Sequence, residues 1–175
     1  MIIKVEDLKS HINTKETKDA VLELKLQALE SLIRKYTNNN FQNIYVRARC
    51  KATKEGLAAN IQNLNVDDTI QISQSKYNDG IYTVVSIKEG IIELNKALYE
   101  ENDVLATKVE YPADVILGVI NLINWELNNR DKVGIQSESI SRHSVTYFNM
   151  DGDNSDTGYP KSLLGFLKPY KRARF

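Results

Sequence analysis

The sequence predicts an α+β protein: a small helical bundle interrupted by an inserted antiparallel β-barrel or sandwich and followed by an extended C-terminal arm. Three observations lead there. Apolar residues recur at three- and four-residue spacing in two long stretches, one ending before Asn38 and one beginning after Pro112, as buried helix faces require. Between them the period drops to two in about five short runs separated by turn residues, the mark of half-buried strands. Beyond Val133 the chain turns serine-rich and polar and needs a surface to lie against.

Taken in order, residues 5–12 read as a short helix, with Glu6 and Asp7 early and Lys9 later, matching the helix dipole. A longer helix is expected over 17–37. Ala20, Val21, Leu24, Leu26, Ala28, Leu29, Leu32, Ile33 and Tyr36 form its apolar face, with Lys25, Glu30 and Lys35 opposite. Asn38, Asn39 and Asn40 end it, because asparagine accepts left-handed geometry.

Alternation then begins at Ile44 and recurs at Thr69, Ile81, Ile91 and Val104. Asn78-Asp79-Gly80 reads as a tight hairpin turn, and Lys88-Glu89-Gly90 as a second. Pro112 opens a helix expected over 112–129, a position where its missing N–H costs nothing. Val115, Ile116, Val119, Ile120, Leu122, Ile123 and Leu127 form a wide apolar face, and Trp125 adds the largest side chain. This face should pack on the 17–37 helix. The expected organisation is therefore 1–41 plus 111–135 as a helical body, 42–110 as the β insert, and 136–175 as the arm.

In the arm, residues 136–147 alternate and read as an extended segment with one buried face. A polar loop follows, then a short amphipathic helix over 160–167, and a tail carrying Lys168, Lys171, Arg172 and Arg174. Leu163, Leu164, Phe166 and Leu167 lie on nearly one side of that helix. They are expected either to pack into the core or, with Tyr170, Lys171 and Arg172, to dock on a partner.

The bulk numbers exclude several classes. Lys plus Arg and Asp plus Glu are equal at 23 each, so no net field draws nucleic acid or an anionic membrane. The one cysteine, Cys50, rules out an intramolecular disulfide framework and a thiolate zinc site. The most apolar window, 115–122, is too short to span a bilayer, so a soluble protein is expected.

No constellation for chemistry emerges. Asp151, Asp153, Ser155 and Asp156 start like a calcium loop, but Asp156 stands where glycine is required and Ser162 where a bidentate glutamate is required. His11 and His143 lie in different elements with no ligand at metal spacing. Ser137, Ser139, Ser141 and Ser144 lack a glycine elbow, and Gly134 and Gly152 are isolated. Neither a catalytic nor a cofactor nor a metal site is expected. Tyr45, Arg47, Arg49, Lys51, Lys54, Tyr77 and Tyr82 suit a single-strand nucleic-acid surface. Asp67, Asp68, Asp79, Glu89, Glu93, Glu100, Glu101 and Asp103 in the same segment oppose it, and tyrosine with arginine also suits protein interfaces.

The order of parts resembles the head-to-tail connector (adaptor or head-completion) proteins of tailed bacteriophages. The residues that carry it are Val5 to Ile12, the long helix ending Tyr36-Thr37-Asn38, and the proline-led helix. Ser137-Glu138-Ser139-Ile140, Val145-Thr146-Tyr147 and the closing stretch from Leu163 to Arg172 complete it. The resemblance implies a homo-oligomeric ring, typically a dodecamer, in the virion neck, made in the host bacterial cytoplasm. It implies docking on the portal protein, a surface for the stopper or tail, and DNA passing through the lumen without sequence-specific contact. It implies no membrane and no catalysis. The alternative from the residues is a nucleic-acid-binding accessory protein using the β insert and basic C-terminus.

Overall fold

The computed structural model describes residues 1–133, 137–140, 143–146 and 153–173. The chain divides into two compact units, Met1–Asn38 with Pro112–Phe175, and Asn39–Tyr111. Residues 136–175, expected as a separate arm, group with the helical body.

In the helical unit, α1 spans Val5–His11, α2 Asp19–Thr37 and α3 Ala113–Asn129. Leu22, Leu26, Leu29 and Ile33 form the buried row of α2, and Val115, Val119, Leu122 and Ile123 that of α3. The apolar face expected on α2 therefore splits in two. Val21 and Leu24 point to solvent, 41% and 67% exposed, while Leu22, absent from the expected row, is fully buried. Glu30, expected on the outer side, is also buried. Helix α2 ends at Asn38 in the left-handed conformation, φ 49°, as its asparagines predict. Pro112 stands just before α3, its carbonyl accepting from the Val115 and Ile116 amides.

After α3 a 3-10 turn covers Arg130–Lys132, then β7 (Ser137–Ile140) pairs antiparallel with β8 (His143–Thr146). The expected single extended segment is a hairpin, with Ile140 opposite His143. Alternation is blind to a reversal in the middle of a strand pair, and Ser141-Arg142 carries no glycine or asparagine to announce one. Gln136, Tyr147 and residues 149–152 of the polar loop lie outside the described residues. A two-residue pair, β9 (Ser155–Asp156) with β10 (Tyr159–Pro160), leads into a ten-residue 3-10 helix, Lys161–Tyr170. Gly165 and Pro169 inside this last helix weaken an α-helical ladder.

The other unit is a closed antiparallel barrel of six strands in the order β1-β2-β5-β4-β3-β6. They are β1 Gln42–Thr53, β2 Gly56–Ala58, β3 Thr69–Ser73, β4 Gly80–Lys88, β5 Ile91–Leu94 and β6 Glu101–Val109. Closure leaves no edge strand unpaired. Strand β2, too short to register as alternation, is the one the sequence reading lacks. It begins at Gly56, φ 145°, where a Cβ would meet the Ile92 carbonyl oxygen at 2.2 Å. Leu57, Ile70, Ile72, Val84, Ile92, Val104 and Ala106 fill the interior.

Of the two expected turns, Glu89-Gly90 reverses the chain with positive φ at both residues. Asn78-Asp79-Gly80 does not. Gly80 already belongs to β4 opposite Ile72, and the connection is a longer loop in which Asn78 is buried.

Candidate functional site

The residues expected to dock are mostly occupied within their own unit. Leu164 and Leu167 are 2% and 0% exposed, and Leu163 and Phe166 are half-buried. The Phe166 ring lies on Gly118 of α3 so closely that a Cβ there would come within 2.3 Å of it. The Tyr170 hydroxyl donates to both carboxylate oxygens of Asp114 at 2.7 and 2.9 Å, and that hydrogen bond raises its pKa. Lys171 places its ammonium 3.9 Å from the centre of the Tyr36 ring. The Arg172 amide donates to the Thr37 carbonyl at 2.8 Å, and Asn38 Nδ2 donates to the Ala173 carbonyl. The basic tail thus covers the C-terminus of α2, where the dipole favours cations.

A cluster that the sequence reading missed clips β10 to the helices. Glu126 on α3 pairs with Lys25 on α2 and accepts from the Tyr159 hydroxyl, while Arg130 Nη2 stands 3.5 Å away. Burial alone would push the Glu126 carboxyl up. The Lys25 and Tyr159 hydrogen bonds and the two cations outweigh it and hold the pKa below the usual range. The guanidinium of Arg130 lies 5.2 Å from the Trp125 ring and 4.9 Å from that of Tyr159, and it donates to the Gly158 carbonyl. Tyr159 is pushed well above the ordinary tyrosine range by burial and then by Glu126. The only signal in the sequence was the Glu-x-x-x-Arg spacing of 126 and 130, which is common on helices.

The outer side of α2 is an apolar surface of the helical unit left open. Val21, Leu24 and Ala28 are exposed there and Leu32 is half-exposed. Ala28, Ser31, Leu32, Lys35, Tyr36 and Thr157 line a shallow groove of about 630 Å³ along it.

On the barrel, Tyr45, Arg47, Arg49 and Lys51 all face solvent along β1, alternating with Val46 and Cys50 in the interior. Arg49 is paired with Asp103 at 2.7 Å and bonded to Gln74. Tyr82 stands apart from this row, its hydroxyl donating to the Asn78 carbonyl. Burial pushes the Cys50 thiol up to about 11, with Asp103 adding to it.

Two loops of the barrel are bound together by a polar network invisible in the sequence. The Glu101 carboxylate accepts from Ser75 Oγ, the Lys76 and Tyr77 amides and Asn78 Nδ2, and these bonds lower its pKa. Asn78 brackets Tyr99, accepting from its amide at 2.8 Å and donating to its carbonyl at 2.9 Å.

Among the described residues no group of acids, histidines or cysteines converges for a metal, and no helix is long and apolar enough to cross a membrane. Comparison with family models and with curated proteins finds no match to this chain.

Proposed function

We propose that this chain is a structural head-to-tail connector of a tailed phage, assembling as a ring below the portal and offering a surface to the stopper or tail. The observation that carries the reading is the second apolar stripe of α2, Val21, Leu24, Ala28 and Leu32, left facing solvent. Exposed apolar residues placed singly need no explanation, whereas a continuous helical stripe favours burial against another protein. A ring covers such a stripe in every copy at once, because head-to-tail contacts repeat around it. The layout resemblance names the kind of ring.

The C-terminal segment has a narrower part in this reading than its sequence suggests. Leu164 and Leu167 complete the helical core, which leaves the exposed side of Leu163, Phe166, Tyr170, Lys171 and Arg172 for any contact with the portal. A nucleic-acid role through the barrel draws support from the β1 row of Tyr45, Arg47, Arg49 and Lys51. Acids outnumber bases over Asn39–Tyr111, which disfavours a polyanion.

Native mass measurement of the full chain, alone and mixed with the portal protein of the same phage, tests the proposal. A ring-sized species or stoichiometric capture supports it. A monomer that ignores the portal overturns it.

A further inference from the structure

Closure gives every barrel strand two neighbours, but not along its whole length. Strand β6 follows β1 over residues 42–52, whereas β2 meets it only at Lys51, Ala52 and Thr53. Residues 43–50 of β1 therefore have a strand neighbour on one side alone. Among the described residues, no backbone group of a turn or loop bonds to this stretch either. Burial agrees. Val46 and Cys50 are buried on the interior side, yet Ala48 between them is only half-buried, as expected where no strand covers the wall. In the irregular stretch between Gln42 and Arg47, Ile44 and Tyr45 stand 56% and 92% exposed. An extended edge with open N–H and C=O groups is a template for an added strand.

Backbone and side chains together select the occupant. Strand β1 carries Arg47, Arg49 and Lys51 on its outer row and no acid anywhere in Gln42–Thr53. Arg49 is engaged by Asp103 and Gln74, whereas Arg47 and Lys51 have no hydrogen-bond or ion-pair partner among the described residues. Opposite charges facing each other across a strand pair are favourable, and like charges are not. A second copy of β1 laid antiparallel about Ala48 would set Arg47 against Arg49, so the edge disfavours its own kind. An acidic strand suits it. A nucleic-acid backbone answers the cations but offers acceptors without donors, and a strand ladder needs both.

We propose that the open edge of β1 over residues 47–50 takes an added strand from a partner protein, an extended segment with acidic side chains at alternate positions facing Arg47. This goes beyond the ring assignment and does not depend on it.

The test is an amide-resolved NMR titration of the isotope-labelled full chain with a blocked Thr-Glu-Val-Glu-Val-Thr peptide. Parallel titrations use its lysine counterpart, a version with proline in place of valine, and oligothymidylate. The acidic peptide is expected to shift the amides of residues 47–50, with saturation near ~1 mM. The lysine counterpart should bind at least about tenfold more weakly. The proline version keeps the charge but cannot donate to the ladder, and should bind as weakly. Arg47→Glu should reverse the preference between the acidic and lysine peptides. That side chain is exposed and unpaired, so the remaining spectrum should stay in place. Any of five results would overturn the proposal: no shift at about ten times that concentration, equal shifts with the proline version, equal shifts with the lysine counterpart, stronger shifts with oligothymidylate, or resonances of residues 47–50 that move with protein concentration alone.

Discussion

The two units solve the same problem, burying apolar surface, by opposite routes. The barrel closes on itself: every strand has two neighbours, and its core is drawn from one uninterrupted stretch, Asn39–Tyr111. The helical unit is assembled from the two ends of the chain. Its α2 is covered by α3, by the 3-10 helix Lys161–Tyr170 and at its C-terminus by Arg172, yet its outer stripe remains open. A unit complete in itself keeps its contacts for recognition. A unit that leaves a helix face bare keeps apolar surface that another protein could cover, as the proposed ring would.

The chain carries one reporter for each unit, since Trp125 is the only tryptophan and Cys50 the only cysteine. The largest expected effect is on the helical unit. Leu167→Ala removes a fully buried side chain and should cost about 2–5 kcal/mol. Tryptophan fluorescence should show an earlier transition while Cys50 remains protected from alkylation. Simultaneous loss of both would break the contrast drawn between the units. Gly118→Ala comes next, at about 1–3 kcal/mol, because its methyl would enter the space of the Phe166 ring. Phe166→Leu in the same chain should recover part of that loss.

In the barrel, Asn78→Ala leaves the Tyr99 backbone groups and Glu101 short of partners and should cost about 1–3 kcal/mol. Cys50 alkylation should quicken, with the tryptophan transition unmoved. Smaller again is an acid effect at Glu126. Its folded pKa is depressed, so its contribution is present above about 4.3 and fades as pH falls through the folded value. Glu126→Gln should flatten the stability loss in that window, read from melting temperature against pH. The Cys50 thiol has the opposite sign. Its pKa is raised to about 11, so its contribution is full below about 8.5 and declines as pH climbs towards 11.

Much of this architecture was legible because periodicity reports burial. The change from a 3.6 to a 2 period at the asparagines, and the return at Pro112, mark out the two units within a few residues. What periodicity could not separate was two apolar faces on one helix. Val21 and Leu24 fall at the same kind of spacing as Leu26 and Leu29, and only the elements packed against α2 decide which row is covered. The Asn78-Asp79-Gly80 turn failed for a related reason. Asparagine suits both a left-handed turn and a buried bracket, and Glu101, distant in sequence, selected the second. The Glu126, Lys25, Tyr159 and Arg130 cluster joins three separate segments, so no local pattern could announce it.

The proposal that the exposed stripe of α2 is an assembly face is the centre of this account, and Leu24→Glu probes it directly. Leu24 is 67% exposed, so the substitution should leave the melting temperature nearly unchanged. The decisive measurement is the native mass of wild type and Leu24→Glu, alone and with the portal. The account predicts a ring or a portal complex for the wild type and a monomer that is not captured for the variant. A variant that assembles as completely as the wild type would contradict it.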